Sequence, residues 1–179
     1  VKIPQLIGVS GAPPSGIVQF HRKGADQLKA FFAEVESAGM LSLVISWAGS
    51  FYPRFIRGSQ RTLSNHSWGT AFDINAPENW LNQKPAAVGK KGSLLKLVPI
   101  ANKHGFFWGG HYNTRLDGMH FELAKITDFS TLTEDEIILD LPNSEPTTPT
   151  DRGTQPTAPS GTTLENPLGL SSTPSAAPL

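Results

Sequence analysis

Two short stretches of this chain concentrate its potential chemistry: Ser64-Asn65-His66-Ser67-Trp68-Gly69-Thr70-Ala71-Phe72-Asp73 and Asp117-Gly118-Met119-His120-Phe121-Glu122. In both, imidazole and carboxylate groups alternate with apolar residues. Such groups on the inner side of a strand are costly unless they are paired or bound to metal. Two imidazoles and one carboxylate form a three-ligand set for catalytic zinc, with a fourth position left for water. His66, Asp73 and His120 are therefore the candidate ligands. His66 sits just before a Gly69 turn and Asp73 on the strand after it, so both can face one point. His120 must then come from a neighbouring strand. Spacing alone does not force this arrangement: each of the three, taken singly, is more simply read as a satisfied polar residue on a strand face.

These residues need a scaffold, and the hydrophobic pattern outlines one. Leu28, Phe31, Phe32 and Val35 recur at i, i+3, i+4 and i+7, one face of a helix that Gly39 can stop. Leu41 to Trp47 is short, apolar and partly β-branched, and predicts a buried strand. Ala48 to Asn65, rich in arginine, glycine and serine, predicts a long functional loop. Thr70 to Asn75 predicts a strand with Phe72 and Ile74 turned to the core and Ala71, Asp73 and Asn75 to the other side. A second helix is expected over 93–104, kinked at Pro99 and stopped by Gly105. Phe106 to Trp108 predicts a short strand ending at Gly109-Gly110. Gly118 to Leu123 predicts another, with Met119, Phe121 and Leu123 on its apolar face and His120 and Glu122 on the other. Thr133 and Glu136 form a capping-box pattern ahead of a short closing helix. Helices and antiparallel-looking strands mix without a βαβ rhythm, which argues for an α+β fold: a small antiparallel sheet flanked by helices.

The 179 residues suffice for one domain with a core. Composition shifts at Pro142. Residues 142–179 hold no aromatic residue, eight of the 15 prolines and thirteen serines and threonines. A segment so poor in apolar surface cannot offset the entropy of ordering, and reads as a disordered tail. The expected organisation is an extended N-terminal arm over 1–15, a folded domain over 16–141 and a tail over 142–179. Lysine plus arginine equal aspartate plus glutamate at 15 each, so no bulk charge draws the chain to nucleic acid or to an anionic membrane. The absence of cysteine excludes a thiolate metal site, a disulfide framework and a cysteine nucleophile. No run is long and apolar enough to span a membrane. The chain opens on Val1 rather than methionine, which leaves room for a secretory leader upstream.

Ser-x-His-x-x-Gly-x-Ala-x-Asp followed by Asp-x-x-His resembles the signature of the LAS group of zinc peptidases. That group includes D-Ala-D-Ala carboxypeptidases and the L-alanyl-D-glutamate endopeptidases of phage lysins. Ser64, His66, Gly69, Ala71 and Asp73 stand in register with the first motif, and Asp117 and His120 with the second. The resemblance runs roughly from Phe20 to Glu122 and includes Trp108-Gly109-Gly110. It implies a hedgehog/D-Ala-D-Ala peptidase-like scaffold and one zinc ion held by His66, Asp73 and His120. It further implies Asp117 as general base, at a position where many relatives carry glutamate and the endopeptidase branch more often aspartate. Strand parity sets residue 117 opposite residue 120, so Asp117-Gly118 must turn. Glu122 shares the parity of His120 and is the rival candidate for the base. Relatives place an arginine on the loop before the first ligand; Arg54 is the choice here, with Arg57 and Arg61 close by. Ser64 would support the site by hydrogen bonding, Trp108 would line it, and Glu122, where it is not the base, would stand with them around the ligands or the substrate.

The implied function is hydrolysis of peptidoglycan stem peptides, at the L-alanyl-D-glutamate bond or, as runner-up, by D-Ala-D-Ala carboxypeptidase action. A non-catalytic zinc binding module like the hedgehog domain is the reading from another class, and it would be expected to lack the base or the arginine. Access to the wall implies a periplasmic or extracellular location. Trp47 and Trp68 read as core or cleft wall. Trp80, after a polar loop, is a possible substrate contact. His21, His104 and His111 lack a partner pattern and read as surface or helix-end residues, although His111 could line the cleft.

Overall fold

The pattern of buried phenylalanines explains how the elements assemble. The computed structural model describes residues 1–127; the expected closing helix and the tail lie outside them. Helix α1, Ala25–Ser37, buries Leu28, Phe31, Phe32 and Val35 on the predicted face. It ends as Gly39 takes the left-handed conformation at φ 68°, and the Met40 N–H donates to the Val35 carbonyl at 2.9 Å. Four strands follow: β1 Trp47–Gly49, β2 Ala71–Ile74, β3 Phe106–Trp108 and β4 His120–Leu123. They form one antiparallel sheet in the order β1-β2-β4-β3. The fold of the described residues is thus α+β, and all of them fall in one unit, Val1–Ile137.

Phe72 organises the core. It stacks on Trp47 at 5.8 Å and on Phe121 at 5.3 Å, meets Phe106 edge-on at 5.3 Å and packs on Phe31 at 5.7 Å. On the opposite side of the central pair, Asp73 lies directly across from His120 in the β2–β4 register. Period-two alternation on two adjacent strands therefore yields one dry aromatic face and one polar face.

Three expectations are corrected. The segment Leu41 to Trp47 is not a strand: residues 41–43 form a 3-10 turn, Ser46 makes only an isolated bridge to Ser10, and the strand begins at Trp47. The cause is Asn75. It is fully buried and left-handed at φ 52°, so it does not share the strand face of Asp73 as the alternation predicts. Its Oδ1 accepts from the Ile45 and Ser46 N–H groups at 2.9 and 3.1 Å, and its Nδ2 donates to the Leu43 and Gly92 carbonyls at 2.7 and 3.1 Å. A side-chain amide thus supplies bonds that a ladder would otherwise provide.

Helix α2 spans only Val98–Lys103, and Pro99 lies in its first turn rather than kinking its middle. There the missing N–H leaves no intrahelical acceptor unpaired. Gly105, at φ 76°, follows the helix as expected.

Residues 1–15 do not form an extended arm. Pro4 opens a 3-10 turn that buries Ile3 and Leu6 completely. The segment doubles back through Ile3 N–H to Gly16 carbonyl at 2.8 Å and Val18 N–H to Val1 carbonyl at 2.9 Å. It also braces the sheet's first strand, because the Trp47 N–H donates to the Ser10 carbonyl at 2.8 Å. The loop signal at Ala12 to Gly16 is the reversal itself.

Candidate metal centre

The first motif places its histidine through a short cap. Ser64 precedes a 3-10 turn, Asn65–Trp68, and its Oγ accepts from the His66 N–H at 3.4 Å. Gly69 closes the turn at φ 63°, a conformation that suits glycine, and releases the chain into β2. Asp73 then emerges near the end of β2. In the second motif the His120 N–H donates to the Asp117 carbonyl at 3.1 Å, so Asp117-Gly118 turns as its dipeptide suggests. The Trp108 indole N–H donates to the Gly118 carbonyl at 2.8 Å and pins that turn. Trp108 and Trp47 are buried in the core, whereas Trp68 is 58% exposed and forms no part of it.

Three atoms converge. His66 Nε2 lies 3.1 Å from His120 Nδ1 and 3.2 Å from Asp73 Oδ1, and His120 Nδ1 lies 3.0 Å from the same oxygen. Among the described residues this is the group of histidine and carboxylate side chains able to hold a metal ion. Tetrahedral zinc with bonds of about 2.0–2.1 Å has ligand–ligand edges of about 3.3 Å. The three observed distances match one face of such a tetrahedron. The remaining ring nitrogens face protein acceptors: His66 Nδ1 the Ser50 carbonyl at 3.3 Å, His120 Nε2 the Glu122 carboxylate at 3.3 Å. With both N–H groups so directed, His66 Nε2 and His120 Nδ1 would present lone pairs beside the Asp73 carboxylate, the arrangement a metal ion requires.

The electrostatics agree. Burial works against charge on Asp73, yet hydrogen bonds from His120 and His66 hold its carboxyl far below the ordinary value. Burial likewise opposes charge on His120, but hydrogen bonding to Asp73 and Glu122 pushes it up to about 10. A metal ion entering there must displace that proton. Glu122 is lowered: burial raises it, but His120, Asn65 and Tyr112 outweigh burial. Asp117 moves the other way, raised mainly by burial, with Asp73 adding to the rise and His120 opposing it. Its Oδ1 is buried without a hydrogen-bond partner.

The arginines divide. Arg54 is tied by its backbone to the first motif: its N–H donates to Ser67 Oγ at 2.8 Å, and its carbonyl accepts from the Ser64 N–H at 3.0 Å and from Ser67 Oγ at 2.7 Å. The Arg57 guanidinium lies over the Trp80 ring at 5.5 Å. Arg61 has an exposed position on the same loop.

Residues 57–123 match a family model described as D-alanyl-D-alanine carboxypeptidase. Over this segment the match supports the LAS-type zinc peptidase family. The match spans all three converging residues, Asp117 and Glu122, and begins past Arg54. Searches of curated proteins and of solved structures returned no match. The match supports a hydrolase, and a peptidoglycan substrate fits the matched peptidase family. No helix among the described residues is long and apolar enough to cross a membrane.

Sequence reasoning missed four participants. Tyr112 bonds Glu122 and lies with its ring 6.3 Å from that of His120; Asn65 also bonds Glu122; Ser50 contributes a carbonyl; and the Arg115 Nη1 donates to the Arg57 carbonyl at 2.6 Å. Asn65 stands inside the first motif and could have been suspected from its place. The others act through backbone atoms or distant pairings that no local spacing encodes. His104 stands at a helix end as expected, capping α2, but it is buried rather than on the surface, with Nε2 2.7 Å from Glu34 Oε2. His111 is exposed and packs edge-on to Trp108 at 5.0 Å.

Proposed function

We propose that the protein is a zinc metallopeptidase that hydrolyses peptidoglycan stem peptides, with the L-alanyl-D-glutamate bond as its target. The observation that carries this reading is the convergence of His66, Asp73 and His120 on one point, with a half-buried carboxylate that keeps an unpartnered oxygen in the same motif. One zinc ion held by those three residues would supply Lewis acidity and a water activated at neutral pH. Asp117 takes the water's proton on its unpartnered Oδ1 and passes it to the leaving amine; its raised pKa suits that traffic. Arg54, clamped next to the first ligand's turn, is the proposed cation for the developing oxyanion or a substrate carboxylate, Arg57 being engaged with Trp80. Ser64 holds the His66 turn, and Trp108 holds the turn that carries Asp117. The scaffold fits the hedgehog/D-Ala-D-Ala peptidase-like class, and the work would be done in the periplasm or outside the cell.

The endopeptidase target is favoured by aspartate at position 117. The description of the matched family favours D-Ala-D-Ala carboxypeptidase action as the second reading. Digestion of defined muropeptides by zinc-loaded protein, with and without chelator, separates them by product mass. Chelator-sensitive loss of the stem from L-alanine onward supports the first; release of a terminal D-alanine alone supports the second. No cleavage by a protein that holds one zinc would overturn both and leave a hedgehog-like binding role.

A further inference from the structure

Two carboxylates flank the metal centre in the second motif, and their surroundings differ. Asp117 keeps a buried oxygen without a partner. Glu122 has none to spare on Oε2. That oxygen faces His120 Nε2 at 3.3 Å and accepts from Asn65 Nδ2, and the Tyr112 hydroxyl bonds the same carboxylate. The donors come from three places: the turn that carries His66, the strand that carries His120, and the segment after β3. Glu122 itself is fixed within the sheet, opposite Ala71 on β2 and Phe107 on β3.

We infer that Glu122 is a positioning residue that fixes the His120 ring through Nε2, its own carboxylate being held by Asn65 and Tyr112. This rests on the metal-centre reading above. With Nε2–H bonded to Glu122, Nδ1 is the atom turned toward His66 and Asp73, and the ring cannot rotate without breaking that bond. The Ser50 carbonyl does the same for His66. Asn65 adds a second consequence: it sits beside His66 in sequence and grips Glu122, which is two residues from His120. The carboxylate therefore couples the two motifs, and a shift of either ligand's turn is felt by the other. A proton carrier needs an uncommitted lone pair; Asp117 keeps an oxygen without a partner, whereas Glu122 already accepts from three donors.

The test exploits the difference between an acceptor and a base. Zinc affinity of the whole chain is measured by competition with a chromophoric chelator, and turnover at saturating zinc. Glu122→Ala should weaken zinc binding by about 10–100-fold. Glu122→Gln, which keeps an acceptor oxygen for Nε2–H, should recover most of that affinity and most of the turnover. The cobalt-substituted protein should show an altered visible spectrum in Glu122→Ala and a near-normal one in Glu122→Gln. Asp117→Asn should leave affinity and spectrum unchanged while turnover is lost. A Glu122→Gln protein that binds zinc like the wild type but is as inactive as Glu122→Ala would make Glu122 the base and overturn the assignment. Should Glu122→Ala fail to fold, Asn65→Ala and Tyr112→Phe carry the test: each should lower zinc affinity in a folded protein, and wild-type affinity in both overturns it. Failure of the wild type itself to bind zinc would instead sink the metal-centre reading, a result separate from any difference among variants.

Discussion

The two faces of the β2–β4 pair are built from the same eight residues and obey opposite rules. On one face Phe72 and Phe121 stack on each other and pack against α1, Trp47 and Phe106, with both rings fully buried. On the other, Asp73 and His120 stand opposite each other with His66 brought in from the preceding turn. The first face stabilises by removing apolar surface from water. The second gathers groups that resist burial and satisfies them through one another. Fold and chemistry share strands here without sharing residues, so each should be separately breakable.

The largest expected effect lies on the polar face. His66→Ala or His120→Ala should reduce bound zinc from one equivalent to none and abolish hydrolysis, while near-UV circular dichroism reports an intact aromatic face. Asp117→Ala should next keep its zinc and lose turnover by about 10²–10⁴-fold, the usual weight of general acid–base help; retained activity would move the base to Glu122. On the apolar face, Phe72→Ala should cost about 3–5 kcal/mol in urea unfolding of the metal-free protein. His66→Ala should cost less in the same assay, and a reversed order would break the separation of the two faces.

The smallest effect concerns neither face but the Glu34–His104 pair between the helices. Glu34 is lowered from its ordinary 4.5, Lys103 and His104 outweighing burial, and His104 is lowered from 6.5 chiefly by burial. In both cases the unfolded chain binds protons more readily than the folded one, so stability falls as pH falls. The loss should begin as pH drops through about 6.5, where unfolded His104 takes up its proton, and continue below 4.5 as Glu34 is titrated. Urea midpoints measured across that range check it, with Glu34→Gln flattening the acid limb.

Much of the scaffold was legible because it rests on local periodicity. The α1 face, its stop at Gly39, and the β2 and β4 strands follow from spacing of apolar residues and from glycine. The stretch from Leu41 to Trp47 was not legible, because its β-like composition yields to the Asn75 amide, which lies far along the chain. The N-terminal segment was misread for a related reason. Pro and Gly at 13–16 do signal a loop, but only the packing of Ile3 and Leu6 shows that the loop folds back.

The sequence by itself determined the candidate ligands, the Asp117-Gly118 turn and the alternation that separates Phe72 from Asp73, since each depends on residue type and near neighbours. Only the tertiary structure decided which ring nitrogens converge, that Asp117 keeps a free oxygen, and that Asn65 and Tyr112 bond Glu122. Those facts depend on where distant segments meet, and hydrogen-bond geometry between segments leaves no local pattern in the chain.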